Sequence, residues 1–351
     1  MYTKYTYRVI DLALWTRFAT LNFFVIILAW VCAYQFLPIQ WLRIPWSPIA
    51  LIGTAVAFVI GFQNNAAYSR IWEARKIWGG IVNTSRTFGM YLQDMLTNEG
   101  ARNPTSDDEL KKEIRIITYR HIAWLTALRY AMRSPRSWEI QLEARTNQEW
   151  QILPPEKKVA FHTALEGYIE KEDLKYLENK NNKQTALLYL QSHHLRKLKE
   201  MGIIWRFAFL KLEGILEELF TLQGKSERIK NFPYPRQYAT LNRYFMLIFI
   251  LLLPIALVPQ FLDIGSKIMT EHDVLGKLFH WLSIPVYVSI AWIFHTMERI
   301  GRSSENPFEG ISNDVPISTI ARGIEIDLLQ NLGEAPENIP EQFPENNNVQ
   351  F

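Results

Sequence analysis

Thr54, Phe58 and Phe62 recur at i, i+4 and i+8 in a charge-free stretch, and three amides, Gln63, Asn64 and Asn65, follow at once. On a helix the first three share one face. Copies of such a helix around an axis stack rings of Thr, Phe and Phe, the make-up of a hydrophobic constriction that passes ions when wetted. The three amides then form a polar ring below the constriction and replace part of an ion's hydration shell. Two plainer readings stand beside these. The phenylalanines can simply pack against other apolar helices, and amides in membranes commonly hydrogen-bond between helices.

Other reactive side chains offer less. His193 and His194 are adjacent and point about 100° apart on a helix, so they make no two-histidine metal face. His162 with Glu166, and His295 with Glu298, have helical spacing, but each pair lacks a third ligand. Arg70, Glu73 and Lys76 lie at i, i+3 steps and read as surface ion pairs. No HExxH, phosphate loop, dinucleotide fingerprint or nucleophile elbow occurs. The expectation is a protein without catalytic residues, metal or cofactor, and not an enzyme.

The elements that must position Thr54–Asn65 are apolar helices. The chain has 351 residues, a net charge of +3 and a single cysteine, Cys32, which excludes an intrachain disulfide and gives no reason to expect nucleic acid. Residues 1–18 read as an amphipathic surface helix, followed by a charge-free span over Ala19–Phe36. About twenty apolar residues cross the roughly 30 Å hydrocarbon core. A second span starts at Ser47 and runs without a break past Tyr68 into a charged, Trp-containing helical pattern. Phe245–Phe261 and Leu278–Phe294 are the third and fourth spans, with prolines at 254, 259 and 285 that membrane helices tolerate. No useful strand pattern appears, so the fold class is an all-α membrane protein with four transmembrane helices and a large helical region outside the bilayer.

Basic residues gather at Arg8, Arg17, Arg70, Arg75, Lys76, Arg236, Arg243, Arg299 and Arg302, which places both termini and the middle region in the cytoplasm. The expected organisation is 1–68 (N-terminal helix and spans one and two), 69–238 (cytoplasmic helices), 239–300 (spans three and four) and 301–333 (a cytoplasmic segment packing on the body). The acidic, Pro- and Asn-rich stretch 334–351 reads as a disordered tail.

Four stretches, GFQNNAAYSRIWEARKIWGGIVNTSR (Gly61–Arg86), YRHIAWLTALRYAMR (Tyr119–Arg133), SERIKNFPYPRQYATLNRYF (Ser226–Phe245) and ENPFEG (Glu305–Gly310), occur in an order and spacing that resemble the bestrophins, specifically bacterial members. The resemblance implies a homopentamer in the plasma membrane with one central pore for monovalent ions, lined by the second span. It puts the neck on Thr54, Phe58 and Phe62, with threonine where the family usually has an aliphatic residue. It also implies a cytoplasmic aperture within residues 204–209, set at Ile204 and Trp205. Eukaryotic members bind calcium through consecutive acids after NPF; here that run holds only Glu309 and Asp314, too few hard oxygens for calcium gating. Eukaryotic members pass chloride and some bacterial members pass cations, so the expectation is an anion (chloride) channel, with a monovalent-cation channel as the alternative. A secondary transporter is less favoured because the spans do not repeat, and a non-conducting scaffold remains a third class.

Overall fold

The computed structural model describes residues 1–99, 101, 104–139, 141–142 and 144–351. Its helices in chain order are α1 (Val9–Phe36), α2 (Trp46–Met95), α3 (Asp107–Arg133), α4 (Arg145–Glu149), α5 (Pro155–Lys158), α6 (Phe161–Leu165), α7 (Lys171–Glu178), α8 (Lys183–Glu200), α9 (Arg206–Asn231), α10 (Arg236–Met269), α11 (Asp273–Trp281), α12 (Ser283–Ser303) and α13 (Ile317–Leu332). Isolated bridges are the extent of β-pairing among the described residues. Among the described residues, four helical runs, Val9–Phe36, Trp46–Met95, Arg236–Met269 and Asp273–Ser303, are long and apolar enough to cross a membrane.

The chain divides into two compact units. The apolar unit comprises Lys4–Ser69 and Pro233–Glu305. Its core joins Phe23, Ile27 and Val31 of α1 to Ile49, Val56 and Ile60 of α2, Phe249, Leu253 and Leu257 of α10, and Tyr287 and Ala291 of α12. Gly53 lets α10 come close, since a Cβ there would lie 2.8 Å from the ring of Phe249. Pro254 and Pro259 sit within α10 without ending it.

The helical unit comprises Met1–Thr3, Arg70–Phe232 and Asn306–Phe351. Trp78, Ile81, Phe88 and Leu92 of α2 pack with Ile117, Trp124 and Leu128 of α3, with Leu195 of α8, with Leu212 and Leu219 of α9, and with Ile324 and Leu328 of α13. Local chemistry sets the ends of these helices. Ser106 and Glu109 form a reciprocal capping box on α3, Asn182 caps α8, and Gly333 closes α13 at φ +80°, a conformation glycine adopts without strain.

Two sequence expectations need correction. The N-terminal amphipathic helix is not a separate element. Residues up to Arg8 are non-helical and α1 begins at Val9, because nothing between Val9 and Ala19 breaks the helix. The tail 334–351 is ordered rather than disordered. Val349 and Phe351 are buried with Ile152, Thr319 donates its N–H to the Phe351 carbonyl at 2.7 Å, and Asn346 and Asn347 bind the carbonyls of Gln151 and Trp150. Its amides are spent on loop carbonyls, which composition alone does not reveal.

Candidate functional site

At 3.6 residues per turn, Thr54, Phe58, Phe62 and Asn65 fall within an arc of about 80° on α2. The structure leaves that arc open: Phe58 is 65% exposed and Phe62 71%, and Thr54 and Asn65 are exposed as well. Thr54 returns its hydroxyl proton to the Ala50 carbonyl at 2.9 Å, so a lone-pair face of the oxygen is left outward. The two benzyl groups border a shallow groove whose other wall is Phe249, Leu253, Ile290 and Phe294. These aromatics are therefore not spent on the chain's own core.

The three amides do not stay together. Gln63 lies about 180° from Thr54 around the helix and is 1% exposed. Its carbonyl accepts from Asn242 Nδ2 at 3.0 Å and its amide donates to Glu305 Oε1 at 3.3 Å, while Arg236 pairs with the other Glu305 oxygen. A buried primary amide must satisfy both ends, and those partners hold it inside the subunit. The expected polar ring of Gln63, Asn64 and Asn65 is thus corrected. Asn64 seats against Gly301, and Asn65 alone shares the open arc with the phenylalanines. Interhelical hydrogen bonding is the role in which Gln63 is found.

The aperture pair also separates. Ile204 is 1% exposed within the core of the helical unit and cannot line an aperture, because its side chain is packed among the core residues. Trp205, the residue before α9, is 58% exposed, and its ring meets that of exposed Phe207 edge-on at 5.5 Å.

Glu309 and Asp314 belong to a buried charge cluster in the helical unit. Glu309 accepts from the Gln141 N–H at 3.1 Å and from Asn306 Nδ2 at 2.8 Å. Asp314 accepts from the Gly310 N–H at 2.6 Å, and Arg133 stands 3.8 Å away. Burial, with Asp314 nearby, pushes the Glu309 carboxyl up to about 8; burial likewise lifts Asp314 to about 6, against the pull of Arg133. A protonated carboxyl, and another committed to backbone N–H groups beside a guanidinium, do not fit a calcium ion. Among the described residues no three His, Cys, Asp or Glu gather as a metal-binding group.

The sequence reading missed Asn242 and Glu305 as partners of Gln63. Each lies inside a stretch that carried the family likeness, but pairing across more than 170 positions leaves no periodic signal.

Among the described residues, four apolar helical runs define a multi-pass membrane protein. A family model described as Bacterial/Fungal Bestrophin protein matches residues 8–270 and 274–330, and the chain belongs to that family. Its family is one of channels rather than enzymes. Among the relatives, the voltage-dependent anion channel-forming protein YneE of Escherichia coli (strain K12) is 25% identical, over 82% of this chain and 77% of its own. Voltage-dependent anion channel-forming protein RSc3414 of Ralstonia nicotianae is 26% identical over 90% and 86%. A solved bacterial bestrophin homologue from Klebsiella pneumoniae superposes with a TM-score of 0.72 at 22% identity, covering 91% of this chain and 99% of that one. That likeness establishes the fold.

Proposed function

We propose that the protein is a pentameric channel in the plasma membrane that conducts anions, chloride among them, passively through a central pore lined by α2. Its neck is formed by Thr54, Phe58 and Phe62, and Asn65 supplies the polar ring beneath. The observation that carries this reading is the outward arc itself: two large aromatics sit more than half exposed beside an exposed threonine and asparagine on a helix long enough to span a bilayer. An asparagine facing lipid is costly, whereas one facing water on an axis is not. Anion conduction is supported by the relatives described as voltage-dependent anion channel-forming proteins. Aromatic edges are electropositive and can border an anion's path. Both termini are assigned to the cytoplasm, supported by the basic residues flanking the spans and by residues 1–3 pairing with 348–350 in one unit.

Efflux from lipid vesicles tests the neck. Replacing Phe58 and Phe62 together by alanine widens and wets the constriction, so chloride efflux rises by about tenfold or more, the scale of 1.4 kcal/mol taken off a barrier. Unchanged efflux in the double variant removes the neck from α2.

A further inference from the structure

Gln63 follows Phe62 directly, and its hydrogen bonds fix how α2 is turned. A carboxylate only accepts, so Gln63 must present its NH2 to Glu305, which leaves its carbonyl for the NH2 of Asn242. Neither bond can be reversed. Glu305, at the end of the segment leaving α12, is in turn held by Arg236 in the first turn of α10. One amide on α2 is thereby tied to α10 and to the exit of α12. The neighbouring Asn64 lies against Gly301 of α12, where a Cβ would overlap its side chain. We infer that Gln63, with Glu305, Asn242 and Arg236, is the positioning latch that sets the rotation of the constriction helix and so the aim of Phe58 and Phe62. The inference rests on the pore reading above. The lever is favourable: with side chains reaching about 5–6 Å from the helix axis, a turn of about 20° moves an aromatic tip by about 2 Å. That is enough to change a narrow apolar passage. Gln63, Asn242 and Glu305 are buried, so the bonds among them are strong and have no water to fall back on, whereas Arg236 holds Glu305 from a partly exposed position.

Exchange of the two partners is the test, because it separates this latch from general packing. In Gln63→Glu, two carboxyl groups face one another beside Arg236, with the Glu298–Arg302 pair further along α12. They share a proton, so chloride efflux changes by about tenfold and gains a pH dependence in addition to any of the parent's. Glu305→Gln, the milder variant, keeps the shape but removes the charge on which Arg236 is held, and shifts efflux in the same sense. The double exchange, Gln63→Glu with Glu305→Gln, swaps amide and carboxylate between the two positions. The amide at position 305 then donates to the carboxylate at position 63, Asn242 still donates to that carboxylate, and Arg236 donates to the amide carbonyl at position 305. Efflux returns to within about twofold of the parent and the added pH dependence disappears. The full-length protein is assayed in vesicles alongside Phe58→Ala/Phe62→Ala. If both single variants match the parent while the double alanine variant does not, the latch is wrong and the pore reading stands. If the singles differ but the exchange restores nothing, Gln63 is packing only and the latch is again wrong. If the double alanine variant is also silent, the pore reading fails with it.

Discussion

Glu309 and His121 show how single buried groups set the pH range over which the helical unit is stable. The Glu309 carboxyl sits at about 8 instead of 4.5, chiefly through burial. Its contribution to stability is whole below pH 4.5 and is lost as pH rises through about 8, since the unfolded chain releases the proton first. His121 works in the opposite direction. Buried between Phe88 and Trp124, it is pushed down to about 3, so its contribution is present above pH 6.5 and is lost as pH falls toward 3. Unfolding midpoints across about pH 4–9 should therefore decline on both flanks, and Glu309→Gln should flatten the alkaline flank while leaving the acid one. Glu156 gives a second residue-level expectation. It accepts from Arg129 at 2.7 Å and from Ser318 at 2.8 and 2.9 Å, with Arg133 at 3.7 Å. Glu156→Ala takes the paired carboxylate from buried Arg129 and leaves buried Arg133 with Asp314 alone, and should destabilise the protein by about 3–5 kcal/mol, read from denaturant or thermal unfolding in detergent. None of these partners is legible in the sequence, because the ion pairs of Glu156 with Arg129 and Arg133 and its hydrogen bond from Ser318 follow from the tertiary fold and have no local spacing.

Helices are far more readable than the contacts between them. A proline-free run from Ile49 to Met95 gives α2 as one continuous helix, and charge-free windows give the four spans. Periodicity also groups Thr54, Phe58 and Phe62 on one face, but it cannot tell which side of α2 the subunit buries. Helical spacing itself already sets Gln63 about 160° from Asn65, so grouping them as one ring goes against the period, whereas Ile204 is set at an aperture, although it fills the core, because burial carries no local signal. The tail misleads for a related reason. Its composition is that of a disordered segment, yet apolar residues anchor it, among them Phe343, whose ring lies 4.3 Å from the Arg322 guanidinium and 5.1 Å from that of Arg129. Each cation–π contact contributes on the order of 0.5–1 kcal/mol at a partly exposed site. Phe343→Ala should loosen the strap without unfolding the body, seen as faster proteolytic clipping within 334–351 at an unchanged unfolding midpoint.

At the scale of the whole molecule, the open face of α2 decides what a single chain lacks. Below Phe62 that face continues through Asn65 and Ser69, both exposed, and Ser69 uses its hydroxyl proton on the Asn65 carbonyl. Polar groups beneath exposed aromatics suit neither a lipid-facing surface nor a buried core; an aqueous axis shared with other copies suits both. Detergent-solubilised protein should then have the mass of five chains plus the micelle, and reversal potentials under asymmetric KCl should follow the chloride equilibrium. Accessibility gives the sharper test because it reads each position separately. In a Cys32→Ala background, cysteines placed at Thr54 and Asn65 should react with a charged, water-soluble thiol reagent, and the modification should block efflux. A cysteine at Gln63, turned into the subunit, should react far more slowly. Equal protection of all three positions would mean that no water reaches this face, and with it the axial pore would be lost.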